Sequence, residues 1–350
     1  MLQNILSHIM MPDKQLGPKA QARLDRLTKP VGSLGRLEDL AAQYVMITGN
    51  LKPTIPRGTV FTFAADHGVA HEGVSAYPQE VTPQMVLNFL RGGAAINVLA
   101  RHMGIEVRVI DIGVAHDFGS VPGLIHRKIM PGTNNLLTES AMSREQTEQA
   151  IQVGIELVSD AVEQGIGMIG TGEMGIGNTT ISSAITTVMT GRTVEEVTGR
   201  GTGVDDAVYR HKISVIKKAL AFHRPDPDDA LGVLSKVGGL EIAGLVGLIL
   251  GSASARVPVV LDGFIAGAAA LIAARLQPKC LGYMIASHRS VERGHHVLLD
   301  HLGVKPLLDL DLRLGEGTGA CLAMNLVCAA VKVMTEMATF DEAGVSERST

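Results

Sequence analysis

Two glutamates set among glycines are the residues of this chain best placed to do chemistry. One stands in Gly170-Thr171-Gly172-Glu173-Met174-Gly175-Ile176-Gly177-Asn178-Thr179-Thr180, the other in Leu314-Gly315-Glu316-Gly317-Thr318-Gly319-Ala320. Each precedes an apolar run of helical length, reaching about Met189 in the first case and spanning Cys321 to Met337 in the second. Glycine lets a backbone approach an anion closely, and Asn178, Thr179 and Thr180 favour a helix start. The first segment therefore reads as a phosphate cradle at a helix amino end. No Gly-Lys-Ser/Thr closes it as in a Walker loop, and Glu173 sets it apart from a dinucleotide fingerprint. A carboxylate beside a phosphate would repel it unless it had another task. Two such glutamates point to paired acid/base or cation-stabilising work. Each alone is also compatible with a helix-start carboxylate, and a lone glycine turn with tight packing.

These segments need a frame that brings them together. Short runs rich in Val, Ile or Phe alternate with longer apolar helical stretches, the signature of parallel β/α units. Strands are expected at Thr59–Ala64, Val107–Ile110, Gly167–Gly170, Val257–Leu261 and Tyr283–Ala286, with a sixth near Leu307–Leu312. The first five end in compact turns: Asp66-His67-Gly68, Asp111-Ile112-Gly113, Thr171-Gly172-Glu173, Asp262-Gly263 and Ser287-His288. Ligands of open α/β sheets bind at such carboxyl ends. Asp66 and Asp262 are expected to hold loops by accepting backbone hydrogen bonds. Residues 17 to 48 read as two helices joined by a turn at Pro30, Gly32 and Gly35, and the polar end from Asp341 as a flexible tail.

With 350 residues and 46% apolar content, the chain can bury a large core. A net charge of −4 and 3% aromatic residues argue against a nucleic-acid partner. Cys280, Cys321 and Cys328 form no C-x-x-C pair and read as reduced core residues. The first residues lack the basic and small-residue features of a secretory signal, so a cytoplasmic location is expected. The run Ile242–Ala255, fourteen residues long, is too short to span a bilayer and reads as a buried helix. No metal is expected: His71-Glu72 lacks the second histidine of H-E-x-x-H, and His295 and His296 are adjacent.

Six blocks carry a resemblance: Lys29-Pro30-x-Gly32-Ser33-Leu34-Gly35, Ala65-Asp66-His67-Gly68-Val69, Gly172 through Thr180, Lys236-Val237-Gly238-Gly239, Leu261-Asp262-Gly263-Phe264, and Arg313-Leu314-Gly315-Glu316-Gly317. Together, from about residue 20 to 338, they resemble the nicotinate-nucleotide:dimethylbenzimidazole phosphoribosyltransferase family. The resemblance implies an α/β fold, a Rossmann-like parallel sheet flanked by helices. A small helical domain would form from both chain ends (1–50 plus about 320–340) around a large catalytic domain (51–319), followed by a tail at 341–350. It implies a homodimer acting on small-molecule substrates in cobalamin nucleotide-loop assembly, with no cofactor and no membrane span.

The resemblance also implies roles. Glu316 would be the general base that takes the azole proton, and Glu173 would lie across the site near the ribose and stabilise a cationic C1. Gly175, Ile176, Gly177 and Asn178, with Lys212 and Ser290, would hold the phosphate. Tyr77, Gln84, Met174 and Leu314 would line the base pocket. Tyr77 departs from the family's familiar serine and bears on acceptor preference. Taken alone, Lys212 reads as a solvated helix residue. Two rivals stand beside it: a nicotinamide-dinucleotide dehydrogenase, against which the missing G-x-G-x-x-G after the first strand argues, and a non-catalytic nucleotide or corrinoid-precursor binder, which would need the cradle but not both glutamates.

Overall fold

The structure, a computed structural model, describes residues 2–54, 56–201 and 203–346. The chain opens with helices α1 (Leu2–His8), α2 (Leu16–Asp25) and α3 (Arg36–Thr48) before strand β1 (Gly58–Ala65). Helices α4 (Val81–Arg91) and α5 (Ala95–Met103) lead to β2 (Glu106–Gly113) and the short β3 (Leu124–His126), and α6 (Arg144–Glu163) returns to β4 (Met168–Met174). There follow α7 (Asn178–Thr190), α8 (Val194–Val197), α9 (Asp206–His223), α10 (Ala230–Val237) and α11 (Leu240–Ser254), then β5 (Val259–Leu261). After α12 (Phe264–Leu276) come β6 (Met284–Ala286), α13 (Arg293–Leu302), α14 (Thr318–Glu336) and α15 (Phe340–Ala343).

The six strands form one parallel sheet in the order β3-β2-β1-β4-β5-β6. Strands with helices on both faces read as unbroken apolar runs rather than alternating ones. β1 follows that rule, with every residue after Gly58 buried. From β1 the chain builds outward through β2 and β3, then crosses to β4 on the other side, so the order reverses between β1 and β4. In open α/β sheets that reversal opens a crevice at the strand carboxyl ends. Glu173 stands at the carboxyl end of β4, beside that reversal.

The two sheet faces have separate cores. On one, Phe61, Phe63, Ile110 and Ile112 pack with α6, α7, α11 and α12. On the other, Val60, Ala64, Val109 and Met168 pack with α2, α3, α5 and α14. Fourteen residues of α11, from Leu240 to Ala253, are buried, as expected for a helix with apolar residues on every side. α14 is long and apolar enough to cross a membrane, but 56% of its most apolar window is buried against the sheet, α3 and α5. That is the setting of a core helix.

Helices α6 and α11 touch backbone to backbone. A Cβ on Gly247 would overlap the Ile151 carbonyl oxygen, and one on Gly154 would overlap that of Gly244. Neither helix can give way without displacing the sheet face beneath it. Gly247→Ala is expected to destabilise the fold by about 1–3 kcal/mol, read as a lower urea midpoint at unchanged m-value.

Two sequence expectations are corrected. The sixth strand is Leu124–His126, paired with β2 at the opposite edge. Leu307–Leu312 instead makes a single bridge, Leu308 with His288. Asp311 turns left-handed there at φ 53°, and Leu310 is 55% exposed, so no ladder propagates. Nor is the end from Asp341 wholly a tail. Thr339 caps α15, the Phe340 N–H donates to the Arg26 carbonyl, and Arg26 pairs with Asp341. The four residues 347–350 lie outside the described residues.

Candidate active site

β4 runs further than the sequence pattern implied, carrying Thr171, Gly172 and Glu173 into the sheet opposite Phe61, Thr62 and Phe63. The expected turn is strand because its glycines allow close approach. A Cβ on Gly172 would sit 2.5 Å from the Glu316 carbonyl oxygen and 2.9 Å from Thr62 Oγ1. Thr62 Oγ1 donates to that same carbonyl at 3.1 Å. Across the gap, a Cβ on Gly315, whose φ is 86°, would overlap Glu173 Oε1. Each glutamate's segment is thus seated on a glycine of the other. Two segments far apart in sequence form one site.

Both glutamates are buried, Glu316 at 6% and Glu173 at 5% exposure. Burial raises the Glu316 carboxyl above its ordinary value, and nearby Asp262 adds to the rise, against the Ile96 N–H at the start of α5, which donates to Oε2 at 3.2 Å. Glu173 is held well above the ordinary carboxylate value, first by burial and then by the charges of Asp262 and Glu241. Asn178 Nδ2 donates to Glu173 Oε2 and opposes that rise, while Glu316 adds to it. Raised carboxyl groups in a dry pocket are strong bases once ionised.

Asp262 sets the position of Glu316. Its Oδ1 accepts the N–H groups of Gly319 at 2.7 Å and Ala320 at 3.1 Å, and its Oδ2 that of Gly317 at 3.1 Å. These are first-turn amides of α14, which lack intrahelical partners. Satisfying them ties the Glu316 backbone, at a left-handed φ of 65°, to the end of β5. Asp66 Oδ2 likewise accepts the Ala115 N–H at 2.8 Å. Both aspartates hold loops, as the sequence implied.

The expected anion loop leads into α7, where Gly177 takes φ 98° and no side chain caps the helix. Of the residues expected to hold phosphate, Ile176 has its N–H engaged by Thr82 Oγ1 at 3.2 Å, and Asn178 has its side-chain amide on Glu173. Lys212 is corrected from a solvated helix residue to a 1%-exposed one, with Nζ donating to Thr179 Oγ1 at 2.7 Å. Burial pulls its ammonium down to about 8, against the charge of Glu292. A free-protein lysine near that value loses its charge as pH rises through about 8. Binding of an anionic ester is therefore expected to weaken over that range, measurable by calorimetric titration with the acceptor omitted, and Lys212→Met should flatten the dependence.

Ser290, 2% exposed, lies on the Glu292 side of Lys212 and accepts the Glu292 N–H at 3.3 Å. Beside it is a cavity of about 360 Å³ lined by Gly201, Arg200, Arg293 and Arg313, among others. Gly201 also borders Lys212, and Arg313 Nη1 donates to its carbonyl at 3.2 Å. This arginine-rich wall lies outside the site residues expected from the sequence. Its signal was the run Thr198-Gly199-Arg200-Gly201.

The residues expected to line the base pocket are placed unevenly. Met174 is half-buried beside Glu173, whereas Gln84 is exposed on α4, two positions after Thr82. Leu314 and Tyr77 are 56% and 54% exposed, so they stand at the surface and not within the buried group.

Comparison with known proteins bears on what this arrangement does. A family model described as phosphoribosyltransferase matches residues 9–345. The nicotinate-nucleotide–dimethylbenzimidazole phosphoribosyltransferase of Chloroflexus aggregans is 60% identical over 348 residues, covering 99% of each chain. That of Geobacter sulfurreducens is 58% identical over 347 residues, again with 99% of each covered. The crystal structure of the Thermus thermophilus enzyme of the same name superposes with a TM-score of 0.90 at 46% identity, covering 96% of this chain and 100% of that one. The chain belongs to the nicotinate-nucleotide–dimethylbenzimidazole phosphoribosyltransferase family, a family of pentosyltransferases.

Proposed function

We propose that the protein moves the ribose phosphate of nicotinate mononucleotide to dimethylbenzimidazole or a related lower-ligand base, with Glu316 as general base and Glu173 as the group that stabilises C1. The observation that carries this reading is the reciprocal seating of the two glutamates, each on the other's glycine, at the switch point of the sheet. The azole nitrogen attacks C1 as the C1–N bond to the pyridinium breaks. The bonding pair leaves with nicotinate, whose ring nitrogen becomes neutral while its carboxylate keeps its charge, and the azole N–H proton passes to Glu316. A carboxylate at Glu173 offsets the positive charge growing at C1. The leaving group already carries a positive charge, so little is left for a Lewis acid to neutralise.

Lys212, the arginine-lined cavity and the uncapped start of α7 supply positive potential for the phosphate. Tyr77, Gln84, Met174 and Leu314 would meet the acceptor. With Tyr77 and Leu314 exposed, ordering of that rim by the bound base is part of the proposal. The division into a catalytic domain and a small domain from both ends is also proposed, supported by the packing of α3 against α14 and of α2 against α3. So are a homodimer and a cytoplasmic location.

The test is to incubate the protein with nicotinate mononucleotide and a panel of benzimidazoles, purines and phenols. Nicotinate release that requires a benzimidazole is the expected result. Release independent of any acceptor would sink the transferase reading, and release with phenols alone would overturn the acceptor but not the donor.

A further inference from the structure

The mechanism so far leaves one buried ionisable pair unused. His67 follows the end of β1, and Glu241 lies in the first turn of α11; both are 0% exposed, with His67 Nε2 2.9 Å from Glu241 Oε1. The approach is an ion contact and not an aligned hydrogen bond, since all four ring and carboxylate heteroatoms lack one among the described residues. Gly239 makes room for it: a Cβ there would lie 2.5 Å from His67 Cε1 and 2.7 Å from Glu241 Oε2. The same ring also bears on the site. A Cβ on Gly175 would lie 2.9 Å from His67 Nε2 and 2.5 Å from the Ala65 carbonyl. The imidazole edge is therefore packed against the first residue of the expected anion loop.

We propose that His67 and Glu241 are positioning residues of the transfer reaction, an imidazolium–carboxylate pair that seats the Gly175–Gly177 loop and offsets part of the Glu241 charge that bears on Glu173. The proposal rests on the phosphoribosyl-transfer reading above. Five buried carboxyl groups crowd this region: Asp66, Glu173, Glu241, Asp262 and Glu316, of which Asp66 has the Ala115 N–H. Asp262 has three amides and nearby His288, Glu316 has one amide, and Glu173 has Asn178. Glu241 has His67. An uncompensated buried carboxylate is costly and acts at a distance through low-dielectric surroundings, and the Glu241 charge does bear on Glu173. Besides Glu241, the charged group acting on His67 is Asp66, which favours the imidazolium. Burial is the largest single influence and opposes that form, yet the charge and close polar contact of Glu241, with the charge of Asp66, together hold the ring above its ordinary value.

The geometry makes the two single substitutions act in opposite directions. Glu241→Gln removes a negative charge near Glu173, so the acid limb of the kcat/KM profile should move down by about half a pH unit or more. His67→Gln leaves Glu241 unpaired, so the limb should move up, and donor affinity, measured without acceptor, should fall by about tenfold. The double variant H67Q/E241Q should recover most of that affinity. A pair that served only packing would lower stability in all three and move no limb.

The direct measurement is ¹⁵N-histidine NMR of the wild-type protein, with the His67 ring assigned by through-bond correlation to its own backbone. An imidazolium at His67 persisting above the ordinary imidazole value of about 6.5 is expected; a neutral ring below it overturns the proposal, as do limbs that move together or not at all. The spectrum requires no turnover, so it decides this proposal even if His67→Gln does not fold. A wild-type protein that releases no nicotinate would refute the transfer reading instead.

Discussion

Glu316→Gln is expected to lower kcat by between about 100- and 10,000-fold, the range for removing a positioned general base, while donor binding stays near the wild-type value. Glutamine keeps the shape and one oxygen for the Ile96 N–H, so the loop that Asp262 anchors should hold its place. What is lost is the proton acceptor. The pH profile adds a second readout with a defined sign. A carboxyl raised by burial is protonated until pH climbs above the ordinary carboxylate range, so wild-type activity should rise with pH through that higher window. The residual activity of the variant should lose that part of the acid limb. A variant that loses donor binding along with turnover would place Glu316 in donor recognition.

Gly172→Ala should be nearly as damaging, although it adds only a methyl group and touches no substrate. The new Cβ would stand 2.5 Å from the Glu316 carbonyl oxygen, 2.9 Å from its carbonyl carbon and 2.9 Å from Thr62 Oγ1. None of these is the free end of a flexible side chain. The strand is fixed by its pairing with β1, so the Glu316 segment must retreat. A misplacement of about 1 Å can cost 100-fold, and a loss of about that size in kcat is expected. Stability should fall far less than activity, because the glutamate segment and not the sheet gives way. Equal losses in thermal midpoint and activity would instead mean that the strand itself had broken.

The parts of the molecule legible in its sequence are those set by local pattern. Five strands and the helices after Asn178 and Thr318 follow from apolar runs bounded by glycine and aspartate. The roles of Asp66 and Asp262 follow from aspartate's habit of accepting amides after a strand. What the sequence hid depends on approach in space. β3 has three residues, too few to show a period, and exists because β2 offers it an edge. Gly172 and Glu173 resemble a turn when read alone; they are strand because β1 pairs with them and the Glu316 segment lies against the glycine. Lys212 looks solvated because its helix carries other lysines, and only the fold turns it onto Thr179. The His67–Glu241 pair joins a residue after β1 to one in the first turn of α11, which no spacing rule connects.

The chemistry at C1 separates this account from its nearest competitor. If Glu316 deprotonates the azole while its nitrogen attacks directly, and Glu173 acts only through its charge, the new bond forms on the face opposite the departing nicotinate. If Glu173 attacked C1 itself, two displacements would restore the original face, as in retaining glycoside hydrolysis. The deciding measurement is the C1 configuration of the product of a single turnover from β-nicotinate mononucleotide and dimethylbenzimidazole, read by NMR coupling and cross-relaxation. Inversion to the α-riboside is the expected result; a β-riboside would contradict direct attack and mean that Glu173 attacks C1.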